Sequence, residues 1–184
     1  MDNGASSYRR FLAGDDNGFV EIVRDYKDGL ILYLDSIVKN GSDAEELAED
    51  VFVRLGIKKP HFSGSSSFRT WLYAIGRNVA IDHIRKQSKY DIVSMDEYAE
   101  LSDMVSFESN YLQEEEKVIV HRAIKKLKTE YRQVLWLIYF EGFSNKETAK
   151  IMRKSTHNIE NLAYRARQLL KAELNKEGFH NEDI

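Results

Sequence analysis

The chain has no cysteine and a single proline, Pro60. Without thiols there is no disulfide, no thiolate metal site and no cysteine nucleophile. Long apolar runs are missing too. The longest, "VLWLIYF", falls far short of the ~20 residues of a membrane span, and it lies deep in the chain. The start, "MDNGASSYRR", puts no apolar block behind basic residues, so it does not read as a secretory signal. Five histidines (His61, His83, His121, His157, His180) are scattered without a His-Glu-x-x-His pair. Glu114, Glu115 and Glu116 suit a helix N-terminal turn better than a metal. No catalytic constellation, metal set or cofactor motif emerges. These absences describe a cytoplasmic protein that is not an enzyme.

What is present is charge, unevenly laid out. The 184 residues are 42% hydrophobic and 31% charged, with a net charge of -3. Residues 68–90 hold Arg69, Arg77, Arg85, Lys86 and Lys89 against Asp82 alone. Residues 143–174 hold Lys146, Lys150, Arg153, Lys154, Arg165, Arg167 and Lys171 against Glu147, Glu160 and Glu173. Between them, residues 91–116 are acidic throughout, with no lysine or arginine. A weak net charge therefore still permits nucleic-acid contact, because local clustering sets the field.

Helical spacing dominates. Phe19, Ile22, Val23, Tyr26, Leu30, Tyr33, Leu34, Ile37 and Val38 predict one long helix, weakened at Gly29 and closed at Asn40-Gly41. Ser42 with Glu45 predicts a capping box for the next helix. That helix buries Ala44, Leu47, Ala48, Val51, Phe52 and Leu55 and ends by Gly56 and Pro60. Residues 91–111 read as an acidic linker, which divides the chain into two small helical domains, 8–90 and 112–175, with a disordered tail at 176–184. Thr129 is expected to cap a helix that stops at Gly142.

The strongest local pattern is "GFSNKETAKIMRKSTHNIENLAYRARQLLKAEL". Ser144 and Glu147 form a capping box for a short helix over 145–152. Arg153-Lys154 makes a turn, and Ser155 caps a longer helix with His157, Asn158, Asn161 and Arg165 on its polar face. This is the plan of a helix-turn-helix, whose second helix offers amides and guanidinium groups to major-groove base edges. The same spacing fits a plain helical hairpin, and Glu160 would repel phosphate. Spacing alone leaves both readings open.

A second stretch, "HFSGSSSFRTWLYAIGRNVAIDHIRK", runs from a Gly/Ser loop into an aromatic and basic helix. The loop lacks the Gly-Lys-Ser/Thr ending of a phosphate loop. The stretch carries what unpaired DNA requires: a closing loop (Ser63, Gly64, Ser65, Ser66, Ser67), rings (Phe68, Trp71, Tyr73) and cations (Arg69, Arg77, Arg85, Lys86). Asn78 is a poor mid-helix former. Each has a plainer reading. The rings can be core, the serines can cap the helix, and Asp82 can simply pair with Arg85.

"DAEELAEDVFVRL", the Gly/Ser stretch and the C-terminal pattern occur in the order found in bacterial sigma factors. Over about residues 8 to 174 the chain resembles their compact two-domain extracytoplasmic-function (ECF) group. The resemblance implies an all-α fold with a C-terminal helix-turn-helix. It implies binding to core RNA polymerase through Glu46, Glu49, Asp50 and Arg54. It implies recognition and melting of the promoter minus-ten element through residues 63–68, Trp71, Arg77, Asn78, Asp82, Arg85 and Lys86, the loop enclosing one flipped base. It implies duplex recognition at minus-thirty-five through Ser155, His157, Asn158, Asn161 and Arg165. An anti-sigma factor is a further partner that the group implies. Glu49 stands where the family often has Gln, and Met152-Arg153-Lys154-Ser155 departs from the family's usual turn. A stand-alone helix-turn-helix regulator is the alternative function, and a helical adaptor is a third.

Overall fold

The computed structural model describes residues 3–91 and 111–176. The expected linker at 91–111 and the tail at 176–184 therefore lie almost wholly outside the described residues. Within them the chain is helical: α1 (Asn3–Leu12), α2 (Asp16–Val38), α3 (Gly41–Lys58), α4 (Phe68–Asp91), α5 (Tyr111–Lys126), α6 (Thr129–Leu135), α7 (Asn145–Met152) and α8 (Thr156–Lys176). Helices α1–α4 make one module and α5–α8 another.

In the first module, α2 supplies the central hydrophobic face. Ile22, Leu30, Tyr33, Leu34 and Ile37 are buried, as the helical spacing predicts. They meet Ala44, Leu47, Ala48, Val51 and Leu55 of α3 and Leu72 of α4. Each fully buried large side chain is worth ~1.5–3 kcal/mol over an exposed one. The sequence reading did not include α1. Its Tyr8 and Phe11 are buried, and Tyr8 donates its hydroxyl to the Pro60 carbonyl at 2.7 Å.

Two expected caps are corrected. Asn40, not Ser42, starts α3: its side chain accepts the Asp43 N–H at 3.2 Å. Lys39 takes the left-handed conformation that ends α2 (φ 62), so the connection is tighter than an Asn-Gly ending. Thr129 is the first helical residue of α6 rather than its cap, which falls at Lys128 without a side-chain bond. Beyond α6 the backbone widens into one π turn, Trp136–Phe140, where the Glu141 N–H reaches the Trp136 carbonyl at 3.0 Å.

The two modules share one hydrophobic core, which runs from Tyr33 and Tyr73 to Phe143 and Ile151. Arg132 of α6 reaches across between them and is 2% exposed. Its guanidinium donates to the carbonyls of Ser36 (2.7 Å) and Ile37 (3.0 Å) at the end of α2 and of Leu127 (2.6 Å). A helix C-terminus favours a cation. Burial pulls the Arg132 pKa down to about 10, so the group stays charged near neutrality.

Candidate DNA and polymerase interface

The outward face of α3 follows from its buried face. With Leu47, Ala48, Val51 and Leu55 turned inward, Glu46, Glu49, Asp50 and Arg54 are exposed together. The acidic stripe continues into two apolar residues that sequence reasoning missed, Val53 and Ile57, the latter 77% exposed. They lie four residues apart on one helix face. Such exposed β-branched residues beside charged ones suit a protein partner better than DNA.

An open groove of about 360 Å³ separates α3 from α4. Glu46, Asp50 and Arg54 line one side, and Asp82, Arg85 and Lys86 the other. The fold thus brings part of the expected polymerase set beside part of the expected minus-ten set. Asp82 and Arg85 form an exposed ion pair at 3.5 Å, which contributes little by itself. Asn78 is half-buried and does not line the groove.

The loop before α4 is built from serine hydroxyls. Gly64 takes a left-handed φ of 72 with open space around it. The Ser63 hydroxyl donates to Ser65 Oγ at 3.1 Å. Ser67 caps α4: its Oγ accepts the Thr70 N–H at 3.2 Å, and its carbonyl accepts the Trp71 N–H at 3.1 Å. For Ser67 the plainer capping reading therefore holds.

Phe68 is corrected outright. It is 0% exposed and packed among Tyr8, Tyr26, Phe62 and Trp71, with ring centroids 5.4 to 5.7 Å away. A ring so enclosed is core and offers no face to a base. Trp71 is only half-buried, resting on Tyr8 and Phe62 at 5.5 and 5.2 Å. Arg77 donates to the Gln133 side chain of the second module at 2.8 Å.

The first turn of α4 is held by the second module. Arg69 bonds the Glu141 carboxylate and also donates to the Glu141 carbonyl at 2.7 Å. Tyr73 donates to the same carboxylate at 2.7 Å. Burial first, then Glu141, push the Tyr73 pKa well above the ordinary tyrosine value, so its hydroxyl keeps the proton it donates. Thr70 donates to Glu147 at 3.3 Å, and Lys150 donates to the Ser65 carbonyl at 2.5 Å. Burial alone would raise the Glu147 pKa. Its bonds from Ser144 and Thr70, with Arg69 nearby, hold it below the ordinary value instead.

On the second module, Ser144 and Glu147 make the expected capping box. Arg153 turns the chain at φ 54, and the Ser155 Oγ accepts the Asn158 N–H at 3.2 Å to start α8. His157, Asn158, Asn161 and Arg165 are all exposed, and His157 lies 3.0 Å from the Asn161 side-chain amide. Ile159, Ala163 and Ala166 are buried beneath them. This geometry is that of a helix-turn-helix whose second helix turns its polar face to solvent.

A helical module with a grooved α3–α4 pair, joined to a helix-turn-helix module, defines a two-part transcription factor. The family model for Sigma-70 region 2 matches residues 22–90, and that for Sigma-70, region 4 matches residues 117–170. The chain belongs to the sigma-70 family. It directs RNA polymerase to promoters at transcription initiation.

Within that family the chain falls in the ECF group. It is 32% identical over 156 residues to the ECF RNA polymerase sigma factor SigM of Bacillus subtilis, covering 85% of this chain and 94% of SigM. It is 29% identical over 170 residues to the RNA polymerase sigma-H factor of Pseudomonas aeruginosa, covering 88% of each. Its fold is that of the sigma factor RpoE from Bartonella quintana, solved in complex with the anti-sigma factor NepR. The TM-score is 0.69 at 24% identity, over 85% of this chain and 96% of that one. Among the described residues no helix is long and apolar enough to cross a membrane.

Proposed function

We propose a division of labour within this chain. Its modules, 8–90 and 112–175, take different parts of polymerase and promoter. The α3 face (Glu46, Glu49, Asp50 and Arg54, extended by Val53 and Ile57) docks on core RNA polymerase. The loop 63–66, Trp71, Asn78, Asp82, Arg85 and Lys86 hold the unpaired minus-ten strand, with Arg77 joining once Gln133 releases it. Ser155, His157, Asn158, Asn161 and Arg165 read duplex DNA at minus-thirty-five. The protein works by binding alone, without chemistry of its own, in the cytoplasm where the polymerase acts. The observation that carries this reading is the pair of exposed polar faces, one on each module matched by a sigma-70 region.

The packed arrangement suggests a working cycle. The two promoter elements are centred about 25 base pairs apart, roughly 85 Å of duplex. A compact chain of this length has a radius of gyration of about 16 Å. Packed modules cannot reach both elements, so they separate before the promoter is bound. An anti-sigma factor is the natural antagonist of that opening. The Bartonella quintana relative was solved with one, and this chain is expected to have a counterpart.

Reconstitution with bacterial core polymerase tests the reading. Specific run-off transcription is expected, with starts at fixed sites. Tight operator binding without polymerase, and no transcription with a cognate core, would favour the stand-alone regulator instead.

A further inference from the structure

We propose that Arg69 is an exchange residue. Glu141 holds its guanidinium while the modules are packed together, and a phosphate of the unpaired minus-ten strand takes that place when they part. The inference rests on the reading of residues 63–86 as the minus-ten interface.

Three observations carry it. First, the polar partner of Arg69 is Glu141, which supplies both its carboxylate and its carbonyl oxygen. The guanidinium also lies 4.4 Å over the Phe143 ring of the same module. Parting the modules therefore strips Arg69 of these contacts at once. Second, the exchange is chemically even. A guanidinium fork binds carboxylate and phosphate with the same geometry. The Arg69 side chain is already 36% exposed, whereas that of Glu141 is 10% exposed. Opening hydrates the carboxylate and leaves a cation at the edge of the Gly/Ser loop.

Third, the carboxylate sits in a built recess. A Cβ on Gly29 would lie 2.6 Å from the Tyr73 hydroxyl and 3.3 Å from Glu141. The absence of a side chain at residue 29 is what lets the cluster close. Lys150 and Glu147 of α7 bond the neighbouring Ser65 and Thr70. Release of Arg69 and release of the loop are thus parts of one event. DNA binding at minus-ten and opening of the protein are thermodynamically linked through Arg69.

Arg69→Gln and Glu141→Gln separate this from a merely structural ion pair. In the free protein both variants should shift the packed state toward the open one by roughly tenfold, read as loss of energy transfer between dyes on the two modules. In reconstituted holoenzyme they should diverge. On fork DNA with a single-stranded minus-ten element, Arg69→Gln should bind roughly tenfold more weakly. Its dependence of log affinity on log salt should be shallower by about 0.7. Glu141→Gln should bind as tightly as the unmodified protein, or more tightly. Gly29→Ala, which opens the cluster and keeps both charges, should behave like Glu141→Gln and serves if that variant does not fold.

Unchanged fork affinity and salt slope for Arg69→Gln would overturn the proposal. So would equal weakening by Arg69→Gln and Glu141→Gln. Run-off transcription by the unmodified holoenzyme tests the minus-ten reading separately, so the two failures are distinguishable.

Discussion

The two regions proposed to meet DNA stand in different states within one molecule. On α8, His157, Asn158, Asn161 and Arg165 are exposed to solvent. At the start of α4, Ser65, Arg69 and Thr70 are bonded to Lys150, Glu141 and Glu147 of the other module. The face proposed to read duplex is open, and the one proposed to hold single strand is bonded to the other module. A duplex site can be sampled by a protein that touches nothing else. On the proposed roles, a loop and cations that hold unpaired strand would bind any single strand if left exposed, and packing them away restrains that.

The comparison can be broken from either side. The largest effect is expected from Phe68→Ala, which removes a core ring and should cost ~3–5 kcal/mol in urea unfolding. A small cost with a large loss of open complex would return Phe68 to the DNA. Next, Arg165→Ala should weaken upstream duplex binding of the holoenzyme by ~1–3 kcal/mol if it reads a base edge. It should leave the packing of the modules intact, since Arg165 lies on the open side. Asn78→Ala should slow open-complex formation more than it weakens polymerase binding, and Glu49→Lys should do the reverse. Equal defects in both steps would contradict the roles assigned to α3 and α4.

The smallest effect is on pH. Glu147 is held below its ordinary value of 4.5 in the folded protein. A depressed carboxylate stabilises above the unfolded value and loses that contribution as pH falls through the folded one. The contact between Thr70 and Glu147 should therefore weaken below about pH 4.5. Glu147→Gln should flatten the acid limb of the stability curve.

Much of this was legible in the sequence, and the unequal parts are instructive. The helix at 145–152, its Ser144–Glu147 box and the Ser155 cap are encoded within a few residues of one another. So are the buried stripes of α2 and α3. What escaped is non-local. Arg69 and Glu141 are 72 residues apart, and no periodicity links them. Gly29 looked like a weakness in a long helix, yet it is the gap into which Tyr73 and Glu141 fit. Phe68 followed a serine loop, as a stacking ring might, but Tyr8 of α1 packs against it, and α1 spans only ten residues, Asn3–Leu12. Asn40 displaced Ser42 as a cap because both are good caps and tertiary context chose between them.

The most direct measurement is the distance between the modules in the free protein and in the promoter complex. The chain has no cysteine, so Asn17→Cys and Asn175→Cys, both at exposed positions, would take a dye pair without background labelling. High energy transfer in the free protein, falling on assembly with core polymerase and promoter DNA, is the predicted result. High transfer that persists in a complex active in run-off transcription would contradict the account.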